Sequence, residues 1–386
     1  MSDHCSPTFA DLATRLGFSC EEAGGLAEVR NPVALENWTL PVLEFTIVLG
    51  AVLALVYAIA RLRRHGDPTN LVLWFGATAF LFVIEPPIYF PAAFGTEEYL
   101  GTMFAHNVFT VDFLWGRLPL YIVAIYPLMA TIAFEIVRML GVFRRYGVLL
   151  GAVCVGFVHH AFYEIFDQLG PQLRWWEWTL DNKVNQPFFD SVPLPSVVVF
   201  AALWPMSLAL CVQFFVGRHV DAGRRFSGLQ LVWRTVVIGL TASVGVFVLP
   251  LPATVFGMGS DTARGFLYAA ELAVLSVVAV VVLVRQWSAL RAGTSDVAPY
   301  RNGFVQAYAL VYLAVMAVLW ITALPDWFGA VDGRTEDGDP IGSLWYTVAC
   351  FAIAVVSVVA TFTVPQQKSD RNGSPSGTEL AATGTA

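Results

Sequence analysis

Residues 40–64 read LPVLEFTIVLGAVLALVYAIARLRR. Between 40 and 60 there is one charge, Glu44, and then Arg61, Arg63 and Arg64 arrive together. A helix needs about 20 mostly apolar residues to cross a bilayer core, and strands of a membrane barrel would instead alternate over about ten. The stretch therefore reads as one membrane-crossing helix that ends in a basic loop. Eight further stretches have the same character, at 70–90, 118–137, 146–166, 192–216, 229–248, 266–284, 304–324 and 341–364. The expected fold class is all-α, a polytopic membrane helix bundle of about nine transmembrane helices. Residues 102–116 are also apolar and are expected either in the membrane interface or as an early start of the third helix.

Composition points the same way. The 386-residue chain is 57% hydrophobic and 13% charged, whereas a soluble domain is about a quarter charged. A water-soluble enzyme and a wholly disordered chain are both excluded. Net charge is −7, and the basic residues are scattered among loops, so nucleic acid is not an expected partner. The expected partners are the lipid bilayer and a membrane lipid or isoprenoid. Of the 22 basic residues only two are lysine, an excess of arginine that fits a GC-rich bacterial genome, and the expected address is the bacterial plasma membrane.

The basic residues also give an orientation. Fourteen of them, Arg61, Arg63, Arg64, Arg138, Arg144, Arg145, Arg218, Arg224, Arg225, Arg285, Arg291, Arg301, Lys368 and Arg371, fall in alternate connections. Only seven, Arg15, Arg30, Arg117, Arg174, Lys183, Arg264 and Arg334, fall in the others. Basic loops stay in the cytoplasm, so the N-terminus is expected outside and the C-terminus inside. Residues 1–39 read as an extracytoplasmic polar tail without a secretory leader, 40–364 as the bundle, and 365–386 as a disordered cytoplasmic tail. Cys5 and Cys20 lie where a disulfide is chemically permitted, while Cys154, Cys211 and Cys350 read as small apolar residues. The acidic run Asp326, Asp332, Glu336, Asp337 and Asp339 reads as a solvated loop, because it lacks the ligand spacing of a calcium loop.

Only six charged residues fall inside the expected helices: Glu44, Glu85, Glu135, Glu164, Glu271 and Arg234. An ionisable group at membrane depth is costly and marks a functional site by default. Glu135 stands one turn from Arg138 and reads as a paired or snorkelling residue. Glu44, Glu85, Glu164 and Glu271 come to similar depth from different helices, either as a shared polar pocket toward the outer leaflet or as separate hydrated groups. The densest chemistry is the run His159-His160-Ala161-Phe162-Tyr163-Glu164-Ile165-Phe166-Asp167. Spacings of four and three put His160, Glu164 and Asp167 on one face, with His159 and Tyr163 as an adjacent stripe.

Three chemistries fit this run. One is acid–base catalysis by buried carboxyls and a histidine. A second is a metal held by His106, His160, Glu164 and Asp167, although six histidines are too few for a desaturase-type iron site. A third is proton-coupled transport through the same groups. Glu85-Pro86-Pro87 and the many other helix prolines argue for non-helical backbone around a cavity, without saying which kind. The tryptophans of Arg174-Trp175-Trp176-Glu177-Trp178 form either an interfacial aromatic belt or the mouth of an apolar pocket.

Several of these residues carry a family resemblance. Asp167-Gln168-Leu169-Gly170-Pro171, then Trp176-Glu177-Trp178, then Pro187-Phe188-Phe189-Asp190-Ser191-Val192-Pro193-Leu194-Pro195 resemble the carotenoid biosynthesis membrane proteins of the bisanhydrobacterioruberin/carotenoid 1,2-hydratase type. Glu85 matches a membrane glutamate of that family, and Phe109-Thr110 with Leu118-Pro119 echo a further segment. The resemblance covers about residues 80–205. It departs where Gln168 follows the aspartate, where Asp190-Ser191 replaces a glycine, and where an Asn-Phe after the Val-Pro is missing. The resemblance implies a polyisoprenoid substrate and a lyase (hydratase) or isomerase (cyclase) working on a terminal double bond, with a proton donor and no redox cofactor.

The leading expectation is thus a membrane-embedded acid–base enzyme for a carotenoid-like lipid, with no cofactor and no metal. Glu164 or Asp167 is the expected proton donor, Glu85 the second carboxylate, and His160 the orienting or relay residue. His159, Tyr163, Trp176, Trp178 and Glu271 are expected to bind substrate. The alternatives are a proton-coupled permease and a membrane protein without chemistry.

Overall fold

A computed structural model describes residues 5–21, 25–35, 37–107 and 110–363. The expected 365–386 tail and Phe109 lie outside the described residues. Helix α1 (Pro7–Leu16) and strand β1 (Ala27–Val29) precede α2 (Thr39–His65) and α3 (Thr69–Tyr89). A connecting segment follows with α4 (Glu97–Leu100), β2 (Phe104–His106), β3 (Val111–Phe113) and β4 (Leu118–Pro119), leading to α5 (Leu120–Met139) and α6 (Val142–Asp167). A second connection holds β5 (Trp176–Trp178), β6 (Phe188–Phe189) and β7 (Val192–Pro193). The fifth crossing is composite: a π-helix (Ser196–Leu203), α7 (Trp204–Val212), a second π-helix (Gln213–Gly217) and α8 (Arg218–Asp221). Then come α9 (Gly228–Val248), α10 (Leu251–Phe256), α11 (Asp261–Arg291), α12 (Gly303–Gly329) and α13 (Leu344–Thr363).

Among the described residues, nine helical spans are long and apolar enough to cross a membrane, and each overlaps one of the nine expected stretches. The protein is a multi-pass, all-α membrane bundle. The largest boundary differences are at the sixth span, which runs on through α10 to Phe256, and the seventh, which runs from Asp261 to Arg291. The fifth differs at its start. It opens at Ser196 and not at 192, because Val192 and Pro193 pair with Phe189 and Phe188 in a hairpin.

The centre of the bundle is α5. Of its most apolar stretch 89% is buried, against 22% for α11, which lies at the lipid-facing edge. Packed around α5 are α2, α3, α6 and α12, while α9 packs on α3 and α7. The two ends of the bundle have different chemistry. Arg61, Asp67, Arg138, Arg144, Asp221 and Arg301 line one pocket, so the basic loops do meet on a single face. At the other end Arg174 pairs with Asp339 at 2.7 Å, tying the connection after α6 to the one after α12.

On the basic face sits a buried polar knot. Glu135 accepts hydrogen bonds from Tyr57 at 2.9 Å, Asn70 at 2.9 Å, Tyr300 at 2.7 Å and Asn302 at 2.8 Å. Arg138 lies 3.6 Å from Glu135 and donates to Asp67 at 2.6 Å, and Arg61 reaches the same aspartate at 2.8 Å. Burial alone would push the Asp67 carboxyl up. Arg138, the Thr69 backbone N–H and Arg61 outweigh it and hold the group well below the usual carboxylate range. Glu135 is thus paired, as its spacing from Arg138 suggests, and its role is to clamp α2, α3, α5 and the start of α12.

Residues 5–35 belong to the fold. Cys5 and Cys20 form a disulfide with Cα atoms 5.9 Å apart, closing a loop around α1. Phe9, Leu12, Ala13 and Leu16 make a small core with Ala105, and Arg15 reaches Glu177 at 2.9 Å. Strand β1 pairs with β3, and β3 with β4. The apolar segment 102–116 does not begin the third helix early; it supplies β2 and β3, the strands that carry this cap.

Candidate functional site

Beneath the cap lies a cavity of about 70 Å³. Its walls come from α3, α5, α6, the first π-helix and the β2–β5 ribbon, and include Glu85, His106, Tyr126, Tyr163, Asp167, Trp176, Trp178, Asn185 and Ser196. The volume suits a few waters or the methyl-branched end of a chain, not a whole lipid.

Local backbone chemistry places these groups. Pro86 and Pro87 follow Glu85 near the end of α3 and cannot continue its hydrogen-bond ladder, so the helix stops at Tyr89. Glu85 accepts from the Tyr126 hydroxyl, and the Tyr89 hydroxyl is its neighbour. On α6, residues 159, 163 and 167 form one stripe at four-residue spacing. From Cys154 to Gln172 Tyr163 is the one residue that is not buried, and its exposed part lines the cavity. Asp167 accepts from Ser196 Oγ at 2.7 Å.

The π-helix has a sequence cause as well. Pro205 has no N–H, so in a regular helix the Ala201 carbonyl would lose its donor. Here His159 Nδ1 donates to Ala201 O at 2.7 Å. The imidazole stacks on Tyr163 with centroids 5.6 Å apart and meets Trp204 edge-on at 5.2 Å. His159 therefore stands behind Tyr163 and positions it, and is not itself a lining residue.

The outer wall is the β2–β5 ribbon, in which His106 faces Trp176 and Phe104 faces Trp178. Gly170 lies under the Trp176 ring, where a Cβ would collide with the indole. His106 Nδ1 is 3.3 Å from the Arg117 carbonyl and donates to it, which leaves Nε2 as the unprotonated nitrogen. Burial lowers the His106 pKa to about 4, the Arg117 carbonyl offsetting part of the effect, so the ring is neutral at pH 7.

Orphaned polar atoms gather at this cavity. Glu85 Oε2, Trp176 Nε1, Trp178 Nε1 and Asn185 Oδ1 are buried and have no protein hydrogen-bond partner among the described residues. Buried polar groups are normally paired, so a group of orphans around one space marks a place for water or ligand.

The remaining candidates are elsewhere. His160 and Glu164 belong to a second stripe, which continues to Gln168 and faces α13. His160 Nε2 meets the Tyr346 hydroxyl at 2.5 Å, and Glu164 Oε2 accepts from Gln168 at 3.0 Å. Tyr346 and Cys350 are the Glu164 neighbours on α13. Glu271 accepts from the Ala253 N–H at 3.2 Å and caps α10 after Pro250 and Pro252, outside the cavity lining. Glu44 is buried near the backbone of Thr110 and Val111. The four helix glutamates thus serve different places, and the pair that shares the cavity is Glu85 with Asp167. The four residues considered as metal ligands divide the same way, and among the described residues no three His, Cys, Asp or Glu side chains gather as a metal site. Tyr126, Asn185 and Ser196 were not signalled by charge or motif in the sequence. Tyr126 and Ser196 are neutral polar residues in apolar runs, and Asn185 is fixed through Met103 O and Thr179 O, contacts that only the folded connections create.

Compared with known proteins, the chain matches no family model, no curated protein and no solved structure.

Proposed function

We propose that the protein is a membrane-embedded acid–base enzyme that adds water to, or cyclises, the terminal double bond of an isoprenoid chain. The observation that carries this reading is the small aromatic cavity holding two carboxyls, Glu85 and Asp167, beside several unpaired hydrogen-bonding atoms. The resemblance over residues 80–205 supports the isoprenoid class. The small volume supports a substrate that inserts only its end while the rest stays in the lipid.

Asp167, steadied by Ser196, delivers a proton to the less substituted alkene carbon. The tertiary cation that results lies among the faces of Tyr163, Trp176 and Trp178, where ring quadrupoles attract positive charge. In hydration a water held by the orphaned indole N–H groups and Asn185 forms the carbon–oxygen bond and loses its proton to Glu85 or to neutral His106. In cyclisation a second double bond attacks the cation, and the same bases take the proton released from carbon. Each reaction releases one proton for the one it consumes, and its passage from Glu85 or His106 back to Asp167 restores the acid for the next turnover. Glu164 and His160 face α13 and do not line the cavity, and Glu164 bears on Asp167 through its charge. The disulfide on the capped face fits an oxidising compartment, and so supports an N-terminus outside the cytoplasm.

The test is to express the chain in cells that accumulate a linear isoprenoid with isopropylidene ends and to analyse the extracts by mass spectrometry. A product heavier by one water, or an isomer of equal mass with a ring, is expected, and both should vanish in Asp167→Asn. An unchanged isoprenoid profile contradicts the reading.

A further inference from the structure

A second cavity lies on the other half of the bundle. Both α11 and α13 pack on α6, and between them opens an apolar groove of about 500 Å³. Its floor includes Ile136 of α5 and Leu140 just after it, with Phe157 and Val158 of α6. Along α13 its lining runs from Ala352 to Thr363, which at 1.5 Å per residue is about 16 Å. Half of a bilayer hydrocarbon core is about 15 Å. The groove thus spans one leaflet, on the side where the basic loops meet.

Its mouth has a distinct chemistry. Trp287 Nε1 donates to Thr363 Oγ1 at 3.0 Å, bridging α11 and α13 at the end of the groove. The Arg291 guanidinium lies over the Trp287 ring, 5.2 Å from its centroid. Arg301 donates one N–H to the Phe362 carbonyl at 3.2 Å, and a guanidinium has five. No charged residue lines the groove itself among the described residues. A slot one leaflet long, uncharged and almost wholly apolar, with two arginines at its end, matches an acyl chain joined to an anionic headgroup.

We infer that this groove is a binding site for an anionic phospholipid, one acyl chain lying between α11 and α13 and its phosphate between Arg291 and Arg301. The inference does not depend on the chemistry proposed for the capped cavity. The lipid would fill a gap in the wall of α5 and α6 that neither α11 nor α13 covers. Basic pockets between helices on a cytoplasmic face are where anionic headgroups bind.

The full-length protein, equilibrated with vesicles of equal phosphatidylglycerol and phosphatidylcholine, would be examined by native mass spectrometry. The wild type should retain one phosphatidylglycerol in preference to phosphatidylcholine. Arg291→Ala and Arg301→Ala should each weaken that preference about fivefold. Removing the same charge at Arg224 and Arg225, in the α8–α9 connection, should leave it unchanged. Ser357→Trp, which fills the groove, should lose both lipids. Because the arginines are exposed, their variants keep the test valid even if the tryptophan variant fails to fold. Equal retention of the two lipids, a preference that survives loss of both arginines, or a dimer with no bound lipid would each overturn the inference.

Discussion

Ser196 Oγ donates to Asp167 Oδ2 over 2.7 Å, joining the first residue of a π-helix to the last residue of α6. This contact fixes the carboxyl at the rim of the capped cavity. Asp167→Asn keeps the shape and removes the acid, so turnover should fall by about a hundredfold or more. Ser196→Ala removes one hydrogen bond and should cost about tenfold. Product formation per mole of folded protein, measured in membranes, checks both.

Much of this was legible in the sequence, and the failures have physical reasons. Nine apolar runs and the alternation of arginine gave the crossings, because length and charge are properties of single segments. Glu85, Tyr163, Asp167, Trp176 and Trp178 stood out as costly or bulky groups, and they do share one cavity. The error was angular. His160, Glu164 and Asp167 share a broad face of α6, but that face straddles two neighbours. The stripe 159–163–167 turns to the cavity side and the stripe 160–164–168 turns to α13. Nothing within the helix sequence says where the boundary falls. Likewise the pairing of His106 with Trp176 joins two long connections that no local pattern relates.

His106 makes the cap sensitive to acid. Its folded pKa, about 4, lies below the ordinary 6.5, so between those values the unfolded chain binds a proton that the folded chain does not. Stability is therefore full above about pH 6.5 and falls as pH drops toward 4, by about 3 kcal/mol for the whole shift. Thermal unfolding in detergent should show this decline in the wild type and a shallower one in His106→Gln.

The buried knot around Glu135 should be intolerant of half-removal. Glu135→Ala leaves Arg138 without one of its two anions and four donors without an acceptor. Breaking a buried pair costs roughly 3–5 kcal/mol. A large drop in melting temperature is expected, with Glu135→Gln falling between the alanine variant and the wild type. A melting temperature unchanged in Glu135→Ala would refute the clamp.

Gly170→Ala tests the seating of the outer wall. A methyl group there meets the Trp176 ring, and overpacking of this kind costs roughly 1–3 kcal/mol. The displaced indole should alter product yield more than melting temperature, since Trp176 lines the cavity. Parallel melting and product assays separate the two effects.

The most direct test of the central claim is incubation of membranes carrying the protein with a linear isopropylidene-ended isoprenoid in deuterium oxide. Proton delivery by Asp167 predicts one solvent-derived deuterium fixed on carbon in each product end group, and no product from Asp167→Asn. A product without carbon-bound deuterium, or undiminished turnover in Asp167→Asn, would contradict the account.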